Sequence, residues 1–153
     1  TEAGVVVKRG KEFFSPTVDC TIEELISHQQ LIDSNGFAHL NTRDLSLNWN
    51  PDLKIYIDYE FLLQCVSYWG RDRFAIDPTV LVDYIQTNQG IIGRSNYQDW
   101  ANELQWIVEH QDRYSCLTKD DILALDRLKD KYLFQHQESQ QIAAFSNRSE
   151  VLN

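Results

Sequence analysis

Two short stretches hold the residues best suited to chemistry. Lys54-Ile55-Tyr56-Ile57-Asp58-Tyr59-Glu60 is a β-branched run that closes on an acid, and Tyr97-Gln98-Asp99-Trp100 sets a second acid beside an indole. Read as a strand over 53–58 that opens directly into a helix, the first stretch puts the Asp58 carboxylate at the carboxyl end of a strand. That is where open α/β sheets gather ligands and metal ions.

For these acids to converge, the elements around them must alternate. The strand at 53–58 is followed by a helix from about Tyr59 to Tyr68 that buries Phe61, Leu62 and Cys65, with Gly70 and Arg71-Asp72-Arg73 ending it. Asp77-Pro78 reads as a helix start, with an N-cap acid and proline in the first turn. Val80, Leu81, Tyr84 and Ile85 follow at helical spacing, and Asn88-Gln89-Gly90 reads as the C-cap. Ile91 to Tyr97 is expected to be a second strand, Trp100 to His110 a helix, and Tyr114 to Leu117 a weaker strand. Thr118 caps a last helix carrying Ile122, Leu125, Leu128 and Tyr132, and the Gln- and Ser-rich tail 135–153 extends or frays from it.

Ahead of this unit, Val5 to Phe14 holds two β-prone runs around Gly10, compatible with a hairpin. Thr21-Ile22-Glu23-Glu24 is a capping box for a helix that runs on to Ser34-Asn35-Gly36. The expected organisation is an N-terminal extension of hairpin and helix over 1–50, an α/β domain over 51–134 and a polar tail over 135–153. The element order suggests a short parallel sheet flanked by helices.

Composition narrows the function classes. With 153 residues, the chain has room for one domain and its core. Its formal net charge of −9, from 14 Lys+Arg against 23 Asp+Glu, disfavours non-specific nucleic-acid binding, which follows phosphates with a basic face. Arg71, Arg73 and Arg94 are the candidates for a local phosphate-facing rim, with a solvated loop as the plainer reading. Cys20, Cys65 and Cys116 form no CxxC pair, and His28, His39, His110 and His136 show no ligand spacing, so neither a zinc ribbon nor a disulfide framework is expected. No run of about eighteen apolar residues and no leader pattern is present, and the expected location is the cytoplasm.

Over roughly residues 53–133 the sequence resembles the NYN domain, a PIN-like nuclease fold that includes the LabA-type proteins. The matching residues are Ile57-Asp58-Tyr59-Glu60-Phe61-Leu62, then Ile76-Asp77-Pro78 with Leu81, Tyr84-Ile85 and Gly90, then Tyr97-Gln98-Asp99-Trp100. Asp120, Leu123 and Asp126 fit the family's acidic helix. Two departures stand out: Phe61 replaces a polar asparagine of the motif, and no later strand ending in Gly-Asp-Ser-Asp follows Tyr132.

The resemblance implies a three-layer PIN-like α/β fold and a divalent-metal site. Asp58 is its central ligand for Mg²⁺ or Mn²⁺, Asp120 or Asp121 the second, and Asp99 an orienting residue. Glu60 stands as a substitute for part of the missing set, although its position two residues past the strand end turns it away. Such a site lowers the pKa of a metal-bound water that attacks the phosphate of single-stranded RNA. The bland reading makes Asp58 an N-cap, Asp99 half of a structural polar pair, and Asp120 and Asp121 solvated first-turn acids. Trp100, Trp106 and Tyr97 are expected as core aromatics. Three functions follow: a metal-dependent endoribonuclease or its degenerate relative; a non-enzymatic, regulatory domain whose acidic surface meets a protein partner; or an unrelated helical module in which the motif match is accidental.

Overall fold

The computed structural model describes the backbone of 5–8 and 11–14, and residues 21–27, 47–75 and 94–150, with side chains to 144 outside the two strands. Its architecture is helical. β1 (Val5–Lys8) and β2 (Lys11–Phe14) pair antiparallel, with Val5 opposite Phe14 and Lys8 opposite Lys11. Among the described residues four helices can be delimited: α1 (Ile22–Ile26), α2 (Ile57–Trp69), α3 (Tyr97–Glu109) and α4 (Lys119–Glu150). Single 3₁₀ turns lie at Arg71–Arg73 and Gln111–Arg113.

The three-layer PIN-like fold with a parallel sheet is therefore corrected. Among the described residues no parallel strand pair exists, and the strand expected at 53–58 is a turn leading into α2. Burial supplies the reason. Leu53, Tyr56, Tyr59, Leu63 and Val66 are all buried, while Ile55 and Ile57 are only half-buried. A spacing of three to four residues is the helical period, whereas a strand would bury every second residue. The backbone has no ladder to join either. The N–H groups of Lys54, Ile55 and Tyr56 all donate to the Glu103 carboxylate of α3, at 3.0, 2.8 and 2.9 Å. Three successive donors converging on one side chain are incompatible with an extended strand, whose donors alternate between its two edges.

The weaker strand at 114–117 is a link docked on the end of α2. Tyr114 and Leu117 make turn bonds back to Gln111 and Tyr114, at 3.0 Å each. The Cys116 N–H donates to Ser67 Oγ at 3.3 Å. The helix expected at 77–90 and residues 91–93 of the second strand lie outside the described residues. Its described end, 94–97, holds no strand: Arg94 is helical, and Asn96 caps α3, which begins at Tyr97.

α2 is the central element. Seven of its thirteen residues are buried, Tyr59 to Leu63, Cys65 and Val66, so apolar neighbours cover it on most sides. Gly70 ends it with φ of +89°, and a Cβ there would meet Asp72 Oδ1 at 2.9 Å. Glycine alone takes this turn without strain. The Tyr59 hydroxyl donates to the Ile26 carbonyl, fixing α1, whose Leu25 and Ile26 join the same core.

α3 and α4 form an antiparallel hairpin that closes the other side of that core with Leu104, Ile107 and Leu125. The connection between them is short, and Tyr97 at the start of α3 stacks on Tyr132 at 6.0 Å. Trp100 lies between, 5.6 Å from Tyr132 and 5.7 Å edge-on to Tyr56, so one string of rings ties α2, α3 and α4. Beyond Tyr132 the helix outruns its partner. With about 1.5 Å of rise per residue, the backbone from 133 to 150 extends roughly 27 Å further. Residues 137–144 are exposed throughout. No helix among the described residues is long and apolar enough to cross a membrane.

Candidate functional site

Asp58, Asp99, Asp120 and Asp121 sit in the first turns of helices, and Asp126 lies inside α4. Asp58 is half-buried in the first turn of α2, where the helix dipole favours a carboxylate. Asp99 is exposed and completes a capping box at α3. Its Oδ2 accepts from the Asn96 N–H at 3.0 Å, and Asn96 Oδ1 accepts from the Gln98 and Asp99 N–H groups at 2.8 and 3.1 Å. Asp120 is exposed in the first turn of α4. Asp121 is buried, and its Oδ2 accepts from the Thr118 N–H (2.8 Å), the Thr118 hydroxyl (2.7 Å) and Arg71 Nη2 (2.9 Å). Asp126 is bonded to Lys129 at 2.5 Å. Among the described residues no group of three or more His, Cys, Asp or Glu is placed to hold a metal ion.

The Arg71–Asp121 pair locks the end of α2 to the start of α4. Arg71 also donates to the Cys116 carbonyl at 2.6 Å. Burial pushes the Asp121 carboxyl up, but the Thr118 hydrogen bonds and the Arg71 guanidinium outweigh it, leaving the pKa below its ordinary value. A carboxylate with a depressed folded pKa adds stability above its unfolded value of about 3.9, and that stability is lost as the pH falls through the folded value. Asp121→Asn is thus expected to lower the unfolding free energy by about 2 kcal/mol at pH 7. Urea titrations at pH 7 and pH 2.5 should show the gap between variant and wild type narrowing on acidification. A gap independent of pH would contradict this role.

The remaining candidates do not gather into a site. Arg73 is exposed beside Asp72 at 4.0 Å, and Arg94 is exposed. His110 stacks on Trp106 with ring centroids 4.1 Å apart. Burial first, and then the neighbouring Glu60 carboxylate, push the Cys65 thiol up to about 11. Its thiolate is scarce at neutral pH, so in the native chain Cys65 should alkylate at least about 100-fold more slowly than after unfolding. Peptide mass spectrometry after iodoacetamide treatment at pH 7.5 measures this, and equal rates in the two states would contradict it.

A different carboxylate lines an open groove among the described residues. Glu60 is 2% exposed, and it lines a groove of about 540 Å³ together with Trp49, Gln64, Tyr68, Arg113 and Tyr114. Its Oε1 accepts from the Tyr114 hydroxyl at 2.6 Å and its Oε2 from Gln64 Nε2 at 2.7 Å. Gln64 also clamps the 47–51 segment, donating to the Asn48 carbonyl at 2.8 Å and accepting from the Asn48 N–H at 3.3 Å. Trp49 stacks on Phe61 at 4.3 Å with 44% of its surface exposed, and Tyr68 is 56% exposed on the same groove. Burial, then the bond to Glu60, hold the Tyr114 hydroxyl above its usual pKa, so it remains a donor.

Glu60 is visible in the sequence as a lone acid inside Tyr59-Glu60-Phe61-Leu62-Leu63, with Gln64 one helical turn away. Tyr114, 54 positions distant, and Trp49 carry no such signal. No protein-family model, characterised protein or solved structure matches this chain.

Proposed function

We propose that this chain is a non-enzymatic, acidic interaction module of the cytoplasm that binds a basic segment of a protein partner. One observation carries the reading. Asp99 and Asp121, two of the acids a metal-dependent nuclease would need, are engaged in holding the starts of α3 and α4. The net charge of −9 favours a cationic partner over a phosphate backbone. The free thiols of Cys65 and Cys116 suit a reducing compartment.

The full chain, titrated calorimetrically with a Lys/Arg-rich peptide, should bind saturably and more weakly as salt rises. The same peptide with Glu at its basic positions should not bind. A single-stranded RNA oligomer incubated with the chain and Mn²⁺ should remain intact. Cleavage that requires Mn²⁺ and disappears in Asp58→Asn would overturn the proposal in favour of a ribonuclease, and so would the absence of any basic-peptide binding.

A further inference from the structure

We propose that the groove around Glu60 is a receptor site for a single lysine or arginine side chain of the partner; this deepens the interaction reading and rests on it. Glu60 is the starting point. A carboxylate offers about four acceptor sites, and Tyr114 and Gln64 fill one on each oxygen. Both donors are neutral, and no cation is paired with Glu60 among the described residues. Buried carboxylates are costly without a charged partner, so a group of opposite sign entering the groove gains more here than on the open surface.

The one cation among the groove's lining residues is engaged elsewhere. Arg113 lines the same groove, yet its guanidinium carbon lies over the Trp106 ring, 5.4 Å from the centroid. Among the described residues, then, no side chain supplies the cation that this carboxylate would attract.

The rim fits the same ligand. Trp49 and Tyr68 are large aromatics exposed at 44% and 56%, and they flank the groove into which the acid is set. Aromatic faces attract ammonium and guanidinium groups and cover their alkyl stems, while one deep carboxylate fixes the charged head. The rim is held open by bonds already described: Phe61 backs Trp49, and Gln64 ties the 47–51 segment to α2. The rest of the lining is largely polar, and Asn48, Asn50, Ser67 and Ser115 offer hydrogen bonds to the peptide around the anchored side chain. The chain's overall acidity steers a basic peptide towards it.

The test follows amide resonances of the full chain by two-dimensional NMR during titration with two pentapeptides, one with a central arginine and one with a central lysine. A matched peptide with central glutamine serves as control. Shifts at Gln64, Tyr68 and Tyr114 that saturate with either basic peptide and are absent with the control are expected. Glu60→Gln should weaken binding roughly 10-fold or more, and Tyr68→Ala, an exposed rim substitution, roughly 3-fold. Binding of a basic peptide to wild type and Glu60→Gln with equal affinity overturns the site, while leaving the acidic module intact as a general reading. No binding of either basic peptide overturns both. If Glu60→Gln does not fold, Tyr68→Ala decides alone, and an affinity unchanged from wild type overturns the site.

Discussion

Glu103→Ala is expected to lower the unfolding free energy by about 3 kcal/mol, although Glu103 is only half-buried and does not line the Glu60 groove. Its carboxylate accepts three backbone N–H groups, from Lys54, Ile55 and Tyr56, and so caps the start of α2 from another helix 47 to 49 positions away. Tyr56, the N-cap residue, makes no capping bond of its own through its side chain. Truncation leaves three donors to water at a turn that also carries buried Leu53 and Tyr56. Hydrogen bonds to a charged acceptor contribute about 1.5–3 kcal/mol each in isolation, and sharing one carboxylate reduces the sum. Glu103→Gln keeps one acceptor oxygen and should lose about half as much. Urea denaturation reads both, with the midpoint falling and the slope unchanged. A loss below about 1 kcal/mol would show that water caps α2 as well as the carboxylate does.

Leu104→Ala should cost more still, about 3–4 kcal/mol. Leu104 is fully buried in the cluster with Leu63, Ile107 and Leu125, where α3 meets α2 and α4. The substitution removes transfer energy and leaves a cavity whose walls come from three helices and collapse poorly. A domain of ordinary stability, about 5–15 kcal/mol, would lose a large fraction of it. Leu123→Ala in α4 removes the same atoms from a residue that is 52% exposed, and should change stability by less than about 0.5 kcal/mol. Thermal and urea unfolding of the two variants side by side measures the difference. Equal losses would mean that the α3–α4 seam is not the core.

The helices were legible where the signal was local. The helix expected over 59–68 lies within α2, which starts two residues earlier and ends one later before the Gly70 stop. The capping box at Thr21 and Glu24 is present with bonds of 2.8 and 3.2 Å, although α1 ends at Ile26, short of the expected stop at Ser34. Thr118 caps α4 as its sequence suggests, accepting from the Asp121 N–H at 3.2 Å. The expected strand at 53–58 failed because β-branched content outweighed spacing in the reading. Ile55 and Ile57 look like a strand, while the burial of Leu53, Tyr56 and Tyr59 is helical. Asn96-Tyr97-Gln98-Asp99 is a capping box, yet the same acid beside Trp100 also fits the end of a strand in the family pattern. What the sequence could not show was long-range. Nothing local announces that Glu103 grips residues 54–56, or that Tyr114 reaches back to Glu60. The same distance explains why Glu60 read as a marginal acid turned away from a metal, although in the fold it is buried on a groove.

The most direct test of the central claim, that the acids at 58, 99, 120 and 121 stabilise helix ends and the module does no metal chemistry, is a thermal melt. Wild type and Asp58→Asn would be unfolded in increasing MnCl₂ and MgCl₂ at constant ionic strength. A site saturated 100-fold above its Kd raises stability by about 2.7 kcal/mol, a shift of several degrees for a chain of this size. The account predicts that Tm stays level with either ion in both proteins. A saturable rise in the wild type that is absent from Asp58→Asn would contradict it.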